Sequence, residues 1–205
     1  MVLTNETRHV YPFQWDVVTR AFWNKYPNSR LAHVERVDVL DRRLDAQGRL
    51  VTTRLAKVTQ KNVPGWVRSA LGDSTYVFEE TTCDAQRQRL VLKSTNLSLR
   101  SVATVEETCV YSVHPEDARR TLYETEVKVT AFVPLLSQKL EKFSVSRGAE
   151  TAAKGIRAVE EICNDMFQGT FQPAFCEPVS MANGSMAANA AKELAKAADK
   201  WTEKQ

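Results

Sequence analysis

The chain has 205 residues, 43% of them hydrophobic, with 28 basic and 25 acidic side chains and a formal charge of +3. That is enough apolar material for one core plus an appendage, and a balance this even, without a Lys/Arg run, argues against a nucleic-acid partner. No stretch approaches the roughly 18 consecutive apolar residues that would mark a membrane-spanning helix.

The opening MVLTNETRHVYPFQW lacks both an apolar core and an Arg/Ser-rich amphipathic pattern, so neither a signal peptide nor an ordinary matrix presequence is expected. Residues 2–10 read as a first strand. Pro12 then opens a predicted helix that runs to about Tyr26, since proline is tolerated in a first turn. Trp15, Val18, Ala21, Phe22 and Lys25 follow its three- and four-residue spacing, and YPNS at 26–29 ends it. Five strand-like segments come next, at roughly 32–43, 49–59, 75–83, 88–98 and 103–113. A sixth, at roughly 121–132, alternates most clearly: Tyr123, Thr125, Val127, Val129 and Ala131 take one face, Glu124, Glu126, Lys128 and Thr130 the other. Turn signals lie at DAQG (45–48), GDS (72–74), CDAQ (83–86) and HPED (114–117). Consecutive strands joined by short turns pair antiparallel, so a sheet of about seven strands is expected.

Between two of these strands lies KNVPGWVRSALG (61–72), with Val63, Trp66, Val67 and Leu71 at helical spacing. It is either a short helix packed on the sheet, or a lid whose Trp66 and Leu71 face a cavity or a membrane interface.

A long helix is predicted over roughly 135–167, and its stripe changes character midway. Leu136, Leu140 and Phe143 form an apolar face. At about 100° per residue, Arg147 and Lys154 project within about 20° of Leu136. A buried unpaired cation is costly. Either the stripe drifts into solvent there, or something anionic sits beneath it, such as the head group of a phospholipid. Residues 168–185 carry Pro, Gly, Ser and Asn without periodicity and read as a linker. Residues 186–205, rich in Ala, Lys and Glu, read as a partly helical, solvated tail. The domain reading is therefore 1–167, then a linker, then the tail.

Cys83, Cys109, Cys163 and Cys176 are scattered, and each reads as a small buried hydrophobe or a surface thiol. No CxxC, GxGxxG, GxSxG, Walker loop or HExxH occurs, so no metal site, cofactor or catalytic residue is assigned. The expected fold class is α+β: a curved seven-stranded antiparallel sheet gripping a long C-terminal helix, with an elongated apolar cavity between them. In that geometry Lys25, Lys57, Lys61, Arg147 and Lys154 form a candidate cationic head-group site.

The stretches AFWNKYPN (21–28), HVERVDVLDRR (33–43), GRLVTTRLAK (48–57), VPGWVRSALG (63–72), KSTNLS (93–98), VEETCVYSVHPED (105–117) and AAKGIRAVEEI (152–162) strongly resemble the PRELI domain. The resemblance spans about residues 2–166. It implies a START-like, seven-stranded sheet closed by a C-terminal helix over a lipid cavity. It further implies a non-enzymatic protein of the mitochondrial intermembrane space that moves phosphatidic acid between outer and inner membranes, supporting cardiolipin synthesis. A slowmo-like branch would move phosphatidylserine instead. The resemblance also implies transient membrane contact and a small twin Cys-x9-Cys helical partner. It assigns the lid to about 60–72 and the head-group cations to Lys25, Lys57, Arg147 and Lys154. Val58 follows Lys57 where family members carry a second basic residue, and Ser29 follows YPN where they carry proline. Rival readings are a lipid sensor that binds without shuttling, and a hydrolase of the same architecture.

Overall fold

The structure, a computed structural model, describes residues 2–59, 74–98, 100, 103–132 and 137–172, with side chains omitted over 137–149. Seven strands run in chain order: β1 (Val2–Tyr11), β2 (Val34–Leu44), β3 (Leu50–Thr59), β4 (Ser74–Asp84), β5 (Arg89–Asn96), β6 (Ala103–His114) and β7 (Asp117–Ala131). Among the described residues two α-helices accompany them, α1 (Trp15–Trp23) between β1 and β2, and α2 (Ser137–Gln168) after β7, with a short 3-10 turn at Ser29–Leu31. The sheet order is β1-β7-β6-β5-β4-β3-β2, every pair antiparallel. β2 to β7 thus form a meander, and β1 returns to lie beside β7. The expected fold class is the one observed.

Three boundaries differ from the sequence reading by three residues or more. α1 begins at Trp15, three residues after Pro12, because Gln14 is extended (φ −62°, ψ 153°). It ends at Trp23, where the Asn24 N–H returns to the Ala21 carbonyl and the Lys25 N–H to that of Phe22. Pro27 then disfavours a helical conformation at Tyr26. β7 begins at Asp117 rather than near 121, because the hairpin needs only Pro115 and Glu116 at its tip and the ladder already pairs His114 with Asp117.

The other turns follow their residues. The Asp45 carboxylate accepts from the N–H groups of Gln47 (3.0 Å) and Arg49 (2.9 Å), and Gly48 supplies the positive φ of +73° that closes the β2–β3 loop. α2 ends where Gly169 turns left-handed at φ +72° and the Thr170 N–H returns to the Asp165 carbonyl at 2.9 Å.

The core lies where α1 and the C-terminal half of α2 cover one face of the sheet. α1 contributes Trp15, Val18, Ala21 and Phe22, and α2 contributes Val159, Ile162 and Cys163. They meet Tyr11, Leu90, Leu92, Cys109, Tyr111 and Tyr123 from the strands. Trp15 Nε1 donates to the Tyr111 carbonyl (3.1 Å), and Thr121 Oγ1 donates to the Phe13 carbonyl (2.8 Å). His9 Nε2 and Glu160 Oε1, 3.0 Å apart, tie β1 to α2.

Burial also predicts a pH response. It holds the Cys109 and Cys163 thiols at about 12, up from 9.0, and pushes the Tyr11, Tyr111 and Tyr123 phenols above their ordinary range. The native state keeps these protons while the unfolded chain releases them. The stabilisation is complete below about pH 9 and is lost as pH climbs toward about 12, at about 1.4 kcal/mol per pH unit for each group inside its window. Urea midpoints should therefore fall steadily between about pH 9 and 11. A midpoint unchanged across that interval would contradict the burial of these groups.

Candidate functional site

Strand registry builds one polar row across the helix-covered face. Arg54 pairs with Glu79, Glu79 with Ser94, and Ser94 with Glu107, on β3, β4, β5 and β6 respectively. Side chains directly opposite one another in register share a face, so all four point to the side on which α1 packs. The neighbouring positions two residues along are Thr52, Thr81, Leu92 and Cys109, all buried. The row is thus a polar band beside the core.

At one end, Arg54 Nη2 stands 2.7 Å from Glu79 Oε2, both side chains under a tenth exposed. The ion pair lies off hydrogen-bond alignment. Arg54 Nε and Nη2, Glu79 Oε2 and the Thr81 hydroxyl are buried with no hydrogen-bond partner among the described residues. The Arg54 guanidinium sits over the rings of Phe22 (5.2 Å) and Trp23 (5.4 Å). Lys25 Nζ lies 4.6 Å from the Phe22 centroid and 5.1 Å from that of Tyr26. Burial by itself would lower the Lys25 pKa, but the influence of Tyr26 and Glu79 outweighs it and the net shift is upward, keeping the ammonium charged.

At the other end, Glu107 accepts from Ser94 Oγ (3.3 Å) and Thr125 Oγ1 (3.5 Å). Cys109 Sγ, 3.3 Å from Thr125 Oγ1 and 3.5 Å from the Tyr123 hydroxyl, continues the chain into the core. The site therefore holds two cations and two carboxylates on an aromatic and apolar floor. Buried groups left without hydrogen bonds are costly, and a ligand with complementary charge would relieve that cost.

Of the sequence-predicted head-group residues, Lys25 alone is brought to this row among those whose side chains are described. Lys57 has the opposite parity from Arg54 along β3, so it faces the other side of the sheet, where it pairs with Glu35 at 2.7 Å. Lys154 pairs with Glu150 one turn earlier on α2 (2.6 Å) and is 40% exposed. The packed face of this half of α2 runs through Ile156, Val159, Ile162, Cys163 and Met166. At about 100° per residue it is centred roughly 140° from Lys154. Lys61, the Arg147 side chain and the lid residues Val63, Trp66, Val67 and Leu71 lie outside the described residues, as do positions 173–205.

The sequence reading missed Arg54, Glu79, Ser94 and Glu107. The signal was alternation: Glu107 shares parity with Cys109 and Tyr111, and Arg54 with Thr52, so each charge interrupts a face that is otherwise buried. A shallow hollow of about 520 Å³ lined by Arg8, His9, Val10, His114, Pro115 and Glu116 shares no residue with the row.

This arrangement, a seven-stranded antiparallel sheet with a long C-terminal helix laid on it, is the START-like, helix-grip fold. Solved structures with the same architecture include a Thermus thermophilus protein (TM-score 0.57, 15% identity, 80% of this chain and 99% of that one). A START superfamily protein of Mycobacterium smegmatis is also similar (TM-score 0.51, 12% identity, 80% and 98%). An aromatase/cyclase from a Streptomyces species superposes comparably (TM-score 0.56, 13% identity, 82% and 96%). At such identities the likeness shows the fold alone. Residues 16–170 match the PRELI-like family, and the chain belongs to it. It is 42% identical over 151 residues to the mitochondrial protein UPS2 of Saccharomyces cerevisiae, covering 71% of this chain and 65% of that protein, just under two thirds of UPS2's own length. It is 31% identical over 163 residues to a slowmo homologue of Dictyostelium discoideum, covering 78% and 71%.

Proposed function

We propose that this chain is a non-enzymatic phospholipid-transfer protein of the mitochondrial intermembrane space. It would carry phosphatidic acid between outer and inner membranes and so support cardiolipin synthesis, with phosphatidylserine as the second reading. Membership of the PRELI-like family and the mitochondrial relative UPS2 support the setting. The observation that carries the reading is Arg54: a buried guanidinium whose Nε and Nη2 have no hydrogen-bond partner among the described residues, beside the Lys25 ammonium, on an aromatic floor. That is a phosphate site in a largely apolar setting, the charge pattern of an amphiphile's ligand.

In this proposal the lipid enters past the 60–72 lid, whose Val63, Trp66, Val67 and Leu71 make the membrane contact. Lys61 and Arg147 would line the route by which the head group arrives, whereas Lys57 and Lys154 are committed to Glu35 and Glu150 away from it. The PRELI-like domain is taken to end near residue 167, with a linker over 168–185 and a helical tail over 186–205. A small twin Cys-x9-Cys helical protein would stabilise the chain by binding its native form alone.

The test is liposome-to-liposome transfer with a head-group panel, run on the full chain with and without that partner co-expressed. Lys25→Gln should slow transfer about 10-fold or more in a chain that still folds, because it removes the cation facing the phosphate without burying a further carboxylate beside Glu79. Parent rates in a folded Lys25→Gln chain would sink the phosphate site. Lipid binding without transfer would favour the sensor instead. A chain equally soluble and active without the partner would remove the reason to propose one.

A further inference from the structure

Strand β2 is one edge of the sheet, and its register shifts between Val39 and Asp41, where Leu40 is the extra residue. Before this bulge, Val37 and Val39 stand opposite Ala56 and Arg54; after it, Arg42 and Leu44 stand opposite Thr52 and Leu50. Arg54 and Thr52 belong to the helix-covered face, so all four β2 side chains point to that side. An unbulged strand would have turned Arg42 and Leu44 the other way. The acids of this stretch lie on the opposite face. Asp38 stands opposite Leu55 and pairs with Arg36 at 2.6 Å, and Asp41 stands opposite Thr53 and pairs with Arg43. From Val37 to Leu44 the inward face of β2 therefore carries two valines, an arginine and a leucine, and no carboxylate.

This part of the inward face is open. α1 and α2 pack over β1, β6 and β7, toward the other edge of the sheet. Val39 is 52% exposed, Leu44 69% and the bulged Leu40 43%. The Arg42 guanidinium lies 5.3 Å from the Trp23 ring, and its Nε donates to Thr52 Oγ1 at 3.4 Å. Arg42 has no ion pair among the described residues. Apolar side chains exposed together mark an interaction surface. Three aliphatic side chains fall well short of the roughly 800 Å² per partner that a stable protein interface buries. A strand added to this edge would meet the bulge, which interrupts the ladder. A bilayer surface requires neither area nor ladder. It accepts shallow aliphatic insertion, an indole at the water boundary, and a guanidinium over lipid phosphates with its stem among apolar groups.

We propose that Val39, Leu40, Arg42 and Leu44, beside Trp23, dock the protein on an anionic bilayer surface. The strip lies toward the Asp45–Gly48 turn and away from Thr59, so it is a contact separate from the one assigned to the lid. It stands whether or not the chain carries lipid between membranes.

The experiment is flotation of the full chain with vesicles of phosphatidylcholine containing phosphatidylglycerol, and with vesicles of phosphatidylcholine alone. The parent chain should float with the anionic vesicles. Val39→Ser/Leu44→Ser should weaken that binding about 10-fold or more, through the loss of two apolar contacts. Arg42→Gln should weaken it about 5-fold on the anionic vesicles and leave the neutral ones unchanged, the size of effect one cation supplies at an anionic surface. If the double variant fails to fold, Leu40→Ser should show a several-fold loss in its place. A parent chain that does not float overturns the proposal, as do folded variants that float as the parent does. A parent dimer that the double variant dissociates, with flotation unchanged, assigns the strip to a second copy instead. Loss of a small helical partner, with flotation unchanged, assigns it to that partner; either result overturns the proposal. A parent chain that floats but transfers no lipid overturns the transfer reading and leaves the docking surface standing.

Discussion

Arg54→Met is expected to cost about 3–5 kcal/mol of stability, because it leaves the Glu79 carboxylate buried and uncompensated. The pair is closed off from water, with both side chains under a tenth exposed. Glu79 Oε2 has no hydrogen-bond donor among the described residues to take over. The methionine would keep much of the packing on Phe22 and Trp23 that the guanidinium now makes. The double variant Arg54→Met/Glu79→Leu should recover most of that loss, since replacing a buried ion pair with apolar side chains of similar volume is often neutral or stabilising. Urea denaturation of both proteins measures this. The double variant should nonetheless transfer lipid poorly, which separates the pair's part in holding a ligand from its part in holding the fold. A double variant as unstable as the single one would mean that the cost lies in lost packing. A double variant that transfers at the parent rate would remove Arg54 from the head-group site.

Phe22→Ala should be comparably disruptive. Phe22 is fully buried, at 0% exposure, and its ring lies 5.5 Å from that of Tyr111 and 5.1 Å from that of Trp23. Truncating a buried phenylalanine costs about 3–5 kcal/mol through lost transfer energy and the cavity left behind. Against the roughly 5–15 kcal/mol of a typical domain, that brings the chain near unfolding. The same ring is also the floor beneath Lys25 and Arg54, each attracted by its π face. Phe22→Leu separates the two effects. It should fold with a loss of no more than about 1.5 kcal/mol, yet transfer more slowly, because the aromatic face is gone. Circular dichroism melts and the liposome assay on the two variants provide the check. Parent-rate transfer by Phe22→Leu would reduce the ring to a packing element.

Much of the fold was written in local pattern. Alternation of Tyr123, Thr125, Val127 and Val129 with Glu124, Glu126 and Lys128 specified both the strand and its buried face, because a strand's side chains repeat every two residues. Asp45 and Gly48 specified a turn, since each has a backbone preference that acts within four residues. The stripe of Trp15, Val18, Ala21 and Phe22 likewise specified the inward face of α1 and put Lys25 at its end.

The site was decided elsewhere. Lys57 lies three residues from Arg54 in the chain and on the opposite side of the sheet, so its charge is committed to Glu35. Proximity along the chain does not show which of the two faces α1. Arg54, Glu79, Ser94 and Glu107 come from four strands spread over more than fifty positions, and only antiparallel registry aligns them. No local propensity encodes that alignment. Registry follows from burying every strand's apolar face at once, where a slip of one residue would turn each face outward. The sequence by itself therefore determined which segments are strands and helices and which way most of them face. The tertiary structure decided which charges meet, because a charge is paired or left free according to what the neighbouring strands place opposite it.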